Sequence, residues 1–123
     1  MRTPAQRLVH ALLAAGLLAA SITASAANKE PKPTGALAYH RDSGSFGYAV
    51  NAKDSRSARI TALNQCGHPK CEIVASLSKD CGAVANGPKK FVASRGVTRQ
   101  EAETRALRLC GESCAIVGWA CPR

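Results

Sequence analysis

From Gly35 to Val50 apolar side chains fall on every second position. Leu37 and Tyr39 alternate with alanines, and Phe46, Tyr48 and Val50 share one side of the following run. Alternation with period two marks a half-buried strand. Asp42-Ser43-Gly44-Ser45 separates the two runs as a turn cluster, so the segment predicts a hairpin. The period then lengthens. Ala58, Ala62, Leu63 and Cys66 recur at helical spacing, behind Asp54 as N-cap and ahead of Gly67 as a left-handed C-cap. Cys71 to Leu77, with the β-branched Ile73 and Val74, returns to strand character.

The same succession follows a second time. Gly82-Ala83-Val84-Ala85-Asn86 opens it, and Asn86-Gly87-Pro88-Lys89 turns into a poorer return strand near Phe91-Val92-Ala93. Ala102, Ala106, Leu107 and Cys110 form the second helical stripe. Thr98 caps it with Glu101 completing a capping box, and Gly111 follows it. Glu101 and Arg105 stand four apart in the favourable order. Cys114 to Ala120 is the last strand, with Trp119 where the first copy has Ser76. Each copy reads β-β-α-β. Residues 35–123 therefore predict a single α+β domain of two pseudo-symmetric repeats, 35–81 and 82–121. The expected form is one antiparallel sheet carrying both helices on one face.

All six cysteines lie inside the duplicated pattern: Cys66, Cys71 and Cys81 in the first copy, Cys110, Cys114 and Cys121 in the second. Six cysteines admit fifteen pairings. Equivalent cysteines should behave alike, which favours Cys66–Cys71 and Cys110–Cys114 within the copies and Cys81–Cys121 between them. In a chain-entropy account the short loops are worth about 2 kcal/mol each and the long one about 4. The chain needs such staples. Its aromatics are one Trp, two Tyr and two Phe, and Ala and Gly fill much of the remainder.

Disulfides imply an oxidising compartment, and the N-terminus agrees. Arg2 and Arg7 precede an apolar run from Leu8 to Ile22, and Ala24-Ser25-Ala26 provides a small-x-small cleavage site. Residues 1–26 read as a signal peptide, and the run is shorter than the roughly 20 residues a retained anchor requires. Residues 27–34, with Pro31 and Pro33, read as an exposed linker. Cleavage leaves 97 residues (123 less 26) and lowers the net charge from +9 to +7. The expected location is periplasmic or secreted, with no membrane span after cleavage. The charge favours acidic partners, but the cations are spread out and only Lys89 and Lys90 adjoin, so no basic nucleic-acid arm is present.

No catalytic constellation stands out. Cys66-x4-Cys71 and Cys110-x3-Cys114, with His68 near, have spacings seen in zinc sites, but three cysteines per copy in an oxidising compartment favour disulfides. Redox catalysis uses Cys-x-x-Cys at a helix N-terminus, whereas Cys66 and Cys110 end their helices. His40, Asp42, Ser43 and Ser45 are close in sequence, yet a polar turn accounts for them. Glu101 and Glu103 sit on an Arg-rich helix, which explains them as capping and surface pairing rather than as a glycosidase pair. No cofactor or metal is expected. Tyr39, Phe46 and Tyr48 share one face of the first hairpin, with His40 and Arg41 at its tip. They form a candidate surface for acidic or sugar-like partners; the competing reading is a core face under the helix.

The combination of Gly-Ala-Leu-Ala-Tyr, Phe-Gly-Tyr-Ala, a helix ending Ala-Leu-x-x-Cys-Gly, Cys-x-Ile-Val and a Cys-Gly-Ala junction resembles the domain-of-unknown-function 4189 family. The resemblance covers nearly all of Gly35 to Cys121. It implies a small exported bacterial protein with a duplicated cysteine-bearing unit, and it brings no catalytic residues. Asn86 to Ser94 departs from the family's pattern in lacking a Gly-Tyr or Gly-Trp pair. The expected function is a non-enzymatic, disulfide-stapled binding module whose partner is a protein or an anionic envelope component. An inhibitor or immunity-type protein against an exported enzyme, such as a cell-wall hydrolase, and a secreted effector are the alternatives.

Overall fold

Strand β1 (Gly35–His40) turns into β2 (Ser45–Ala49), with Tyr39 opposite Phe46 and Leu37 opposite Tyr48. Helix α1 (Ser55–Cys66) follows, and β3 (Glu72–Leu77) returns along the other side of β1. The second copy repeats this with β4 (Cys81–Asn86), β5 (Phe91–Gly96), α2 (Arg99–Cys110) and β6 (Ala115–Ala120). The computed structural model describes residues 32–123, so the signal segment and residues 27–31 of the linker lie outside the described residues. Thr34, the last linker residue, is already tied to the fold: its N–H donates to Leu77 O at 3.0 Å and its carbonyl accepts from Ala52 N–H at 2.9 Å.

The helix ends form as their residues dictate. Asp54 accepts the Ser57 N–H at 2.7 Å, and Thr98 Oγ1 accepts the Glu101 N–H at 3.1 Å. The bonds from Ser57, with smaller help from Lys53 and Arg56, hold the Asp54 carboxyl below its ordinary pKa. Glu101 reaches back to the Val97 N–H at 3.3 Å rather than to the cap residue itself. Gly67 takes the left-handed conformation at φ 73° that a side chain would resist.

The strands lie in two three-stranded antiparallel sheets, ordered β2-β1-β3 and β5-β4-β6. Ala36, Ala38 and Ala49 face Ala58, Ala62 and Cys66 of α1, while Ala83 and Ala85 face Ala102, Ala106 and Cys110 of α2. The opposite faces carry Leu37, Tyr39, Leu77 and Val84, and these meet each other in a third core. The layers therefore run helix, sheet, sheet, helix. The α+β class and the two pseudo-symmetric units are as the sequence suggested, but the helices lie on opposite outer faces of two sheets, not on one face of one sheet. The cause is the division of each strand into a small-residue face and a large-residue face. A helix can approach closely over alanine, and the larger side chains lose most water contact by covering one another. At Gly47 the approach is so close that a β-carbon would overlap Ala62 O and Cys66 N.

Three disulfides join the described chain: Cys66–Cys71, Cys110–Cys114 and Cys81–Cys121. The last does not link the units. Cys81 opens β4 and lies beside the end of β6, because Gly82 pairs with Ala120. The bond thus clamps the first strand of the second unit to its last. The corresponding positions in the first unit, next to the Gly35–Leu77 pair, are Thr34 and Ser78. Between the units, the shared core is joined by polar ties. Arg95 donates to Ser76 O at 3.3 Å, and Arg41 donates to Gly87 O at 2.9 Å.

Candidate functional site

The tip of the first hairpin is shaped by its own polar residues. Gly44, at φ 72°, allows its N–H to close on Arg41 O at 3.2 Å. The Ser43 N–H donates to His40 Nδ1 at 3.3 Å, and the Ser43 hydroxyl lies 2.7 Å from the same nitrogen. On the neighbouring loop the Lys70 N–H donates to His68 Nδ1 at 3.0 Å. An Nδ1 that accepts an N–H leaves the proton of a neutral ring on Nε2, so the His68 imidazole offers an Nε2–H donor, whereas at His40 the roles of the ring nitrogens follow the tautomer. The two rings stack with centroids 4.1 Å apart and planes 11° from parallel. The loop bearing His68 and Lys70 is closed by Cys66–Cys71, and Cys71 N–H donates to His68 O at 3.0 Å.

The second unit completes this region. Arg41 holds the β4–β5 turn through Gly87 O and, at 3.5 Å, Lys89 O. The ring of Phe91, which begins β5, meets Tyr39 edge-to-face at 5.3 Å. Together these elements enclose an open cleft of about 540 Å³, lined by Tyr39, His40, Arg41, Lys70, Glu72 and Phe91 among others. The volume lies in the range of small-molecule sites, roughly 300–1,000 Å³. Tyr39 is only 3% exposed, and burial pushes its phenol pKa up, with Arg41 acting in the opposite sense. The phenol therefore keeps its proton and remains a donor.

The structure divides the candidate surface read from the sequence. Tyr39, His40 and Arg41 come together at the cleft. Phe46 and Tyr48 are neighbours of each other, at 6.3 Å, but Phe46 runs toward the other side of the sandwich, where a β-carbon at Gly118 would overlap its ring. The face these aromatics share does not lie under the helix; Tyr39 and Phe46 belong to the core between the sheets. Sequence reading missed His68, Lys70, Glu72 and Phe91 as neighbours of the tip. Phe91 had a legible signal: it stands opposite Asn86 as Phe46 stands opposite Tyr39, a correspondence hidden by unequal turn lengths.

The chemistry open to other clusters is limited. His40 and Ser43 touch, but on a ring nitrogen that also accepts the Ser43 N–H, and no carboxylate bonds the other nitrogen among the described residues. This is turn geometry, not a triad. Glu103 pairs with Arg99 at 2.7 Å and Glu101 with Arg105 at 3.3 Å, so both acids are engaged on the surface of α2. Arg99 also lies over the Trp119 ring at 3.8 Å. Among the described residues no group of three or more His, Cys, Asp or Glu converges as metal ligands, and no helix is long and apolar enough to cross a membrane.

Comparison with known proteins fits this geometry. Two mycobacterial relatives, the uncharacterized proteins Rv1813c of Mycobacterium tuberculosis (strain ATCC 25618 / H37Rv) and Mb1843c of Mycobacterium bovis, are each 38% identical to this chain over 87 residues. The match takes in 71% of this chain and 59% of theirs, so the chain spans about three fifths of the length of these relatives. The NMR structure of Rv1813c from Mycobacterium tuberculosis aligns with a TM-score of 0.58 and 31% sequence identity, covering 75% of this chain and 78% of that one. The family model described as "Domain of unknown function (DUF4189)" matches residues 34–121. The chain, a duplicated and disulfide-stapled α+β domain, belongs to the DUF4189 family.

Proposed function

We propose that this protein is an exported, non-catalytic binding domain of the bacterial periplasm or exterior, and that its contact region is the cleft where the two hairpin tips meet. One observation carries the reading. The cleft is walled by both units and fixed from each side, by Cys66–Cys71 behind Lys70 and by the Arg41 bonds to Gly87 and Lys89. A surface held in place before contact avoids the ordering cost of association. Three disulfides and the signal-like sequence at 1–26 support export.

Charge supports a protein or anionic envelope component as partner. The net charge is +9, or +7 with residues 1–26 removed, and Arg41 and Lys70 line the cleft. The test is capture from an envelope extract by the immobilised, oxidised protein. Retention of one component at 1:1 stoichiometry in about 0.5 M salt, and its loss in Arg41→Ala, is the expected result. Retention of polyanions only, eluted by that salt, overturns the proposal.

A further inference from the structure

We propose that Cys110–Cys114 is a thiol–disulfide exchange site for a small anionic thiol, and that its reduction releases the β4–β5 turn that walls the hairpin-tip cleft. The site stands apart from the cleft and requires no partner there. The equivalent bond of the first unit, Cys66–Cys71, provides the comparison. Both Cys110 and Cys114 line an open cavity of about 490 Å³, whereas the hairpin-tip cleft takes in Cys71 but not Cys66. Lys89 and Lys90 line the same cavity, against a single acid, Glu112. Adjacent cations favour thiolates, both the attacking one and the one displaced. The closed loop differs too. Ser113 holds φ 65°, a left-handed conformation that a side chain resists, and is one of only two non-glycine residues with positive φ among the described residues. In the first loop the left-handed position falls on Gly67. Closure of the second loop therefore holds strain that the first avoids, and opening the bond relieves it.

Exposure decides which sulfur reacts. Cys110 is buried and Cys114 half-buried, so Cys114 Sγ is the atom attacked. An incoming thiolate bonds to it, the Cys110–Cys114 bond breaks, and Cys110 leaves and takes up a proton. Its Sγ lies 3.7 Å from Lys90 O, an acceptor for the new S–H. A second thiolate then attacks the incoming sulfur, and Cys114 leaves and is protonated in turn. Two small thiols become one disulfide, and the protein gains two thiols. The β4–β5 turn is seated on this bond at both ends. Gly87 packs so closely on Cys114 Sγ that a β-carbon would overlap it, and Cys110 Sγ meets Lys90 O. The Gly87 N–H donates to Lys90 O at 2.9 Å, closing the turn, while Arg41 holds Gly87 O and Lys89 O from the first unit. Separation of the sulfurs frees the turn, and with it the Arg41 anchor and the place of Phe91 against Tyr39. Cys81–Cys121 keeps β4 and β6 joined meanwhile.

The test places the oxidised full-length chain in anaerobic glutathione buffers of graded poise, with alkylation and mass mapping of each cysteine. Cys110 and Cys114 should be half-reduced at a GSH²/GSSG ratio roughly tenfold below that needed by either other pair. NMR spectra of that product should show amide shifts at residues 86–91 and 110–115 and at Arg41, with β1 to β3 otherwise unchanged. Ser113→Gly removes the strained conformation and should raise the ratio for half-reduction by about fivefold. Lys89→Gln combined with Lys90→Gln should slow the reaction with glutathione roughly threefold more than that with uncharged mercaptoethanol. Another pair opening first or at the same poise overturns the proposal, as does loss of every disulfide in one step with unfolding. An unshifted turn in the reduced protein, an unaltered ratio in Ser113→Gly, or equal slowing of the two reagents in the lysine variant overturns it as well. Capture of an envelope partner by the oxidised protein is unaffected by any of these outcomes.

Discussion

The two units have one fold and different means of holding it. In the second, Cys81 and Cys121 join the outer ends of β4 and β6 covalently. In the first, the same corner is closed by the backbone bond from Thr34 to Leu77. The second helix pairs Arg99 with Glu103 and Arg105 with Glu101, whereas the first leaves Arg56 and Arg59 without salt bridges among the described residues. The inward position occupied by Tyr39 in the first unit is Asn86 in the second. The comparison assigns different tasks to the copies: the second is braced, and the first carries most of the cleft.

The largest expected effect comes from the crosslinks. Replacing Cys81 and Cys121 together by Ser should cost about 4 kcal/mol, against about 2 for the Cys66 and Cys71 pair, measured by urea unfolding of the oxidised proteins. Equal losses would remove the distinction between the units. Next is the helix–sheet spacing. Gly47→Ala places a β-carbon on the backbone of α1 and should destabilise by about 3 kcal/mol. Its counterpart in the second hairpin, Val92, already carries a side chain, so Val92→Ala should cost only about 1 kcal/mol. If Gly47→Ala costs no more than Val92→Ala, α1 does not lie against β2 as closely as described.

Asn86 offers a change of opposite sign. Its Oδ1 is buried without a hydrogen-bond partner, so Asn86→Leu should stabilise the protein by about 1 kcal/mol in the same assay. The smallest effect separates the helix caps. Asp54 has a lowered pKa in the fold, so its contribution is present above the unfolded-state pKa, near 3.9, and is lost as pH falls through the folded value. Wild-type protein should therefore lose stability relative to Asp54→Asn on acidification through that range. The Thr98 cap has no ionisable group, and the difference between Thr98→Ser and wild type should stay flat with pH.

Much of this fold was legible because its local signals agree. Alternation around Leu37 and Tyr39, caps at Asp54 and Thr98, and glycines at 67 and 111 each mark an element that the structure contains. Alternation reveals which residues share a face, but not what that face meets. The alanines at 36, 38, 83 and 85 did contain the answer, since only the small face admits a helix. The place of Cys81 was obscured because the repeat was read from cysteine spacing, while strand register decides that it opens β4. Tyr39, His40 and Arg41 were legible as neighbours through the hairpin. Lys70, Glu72 and Phe91 reach them only by tertiary packing, which no local period encodes.

Native-state hydrogen exchange on the oxidised protein tests the difference between the units most directly. The account predicts that the hydrogen-bonded amides of β4 and β6 exchange only through global unfolding, while those of β3 open at a distinctly lower free energy. Equal protection in the two sheets, or slower exchange in the first, would contradict it.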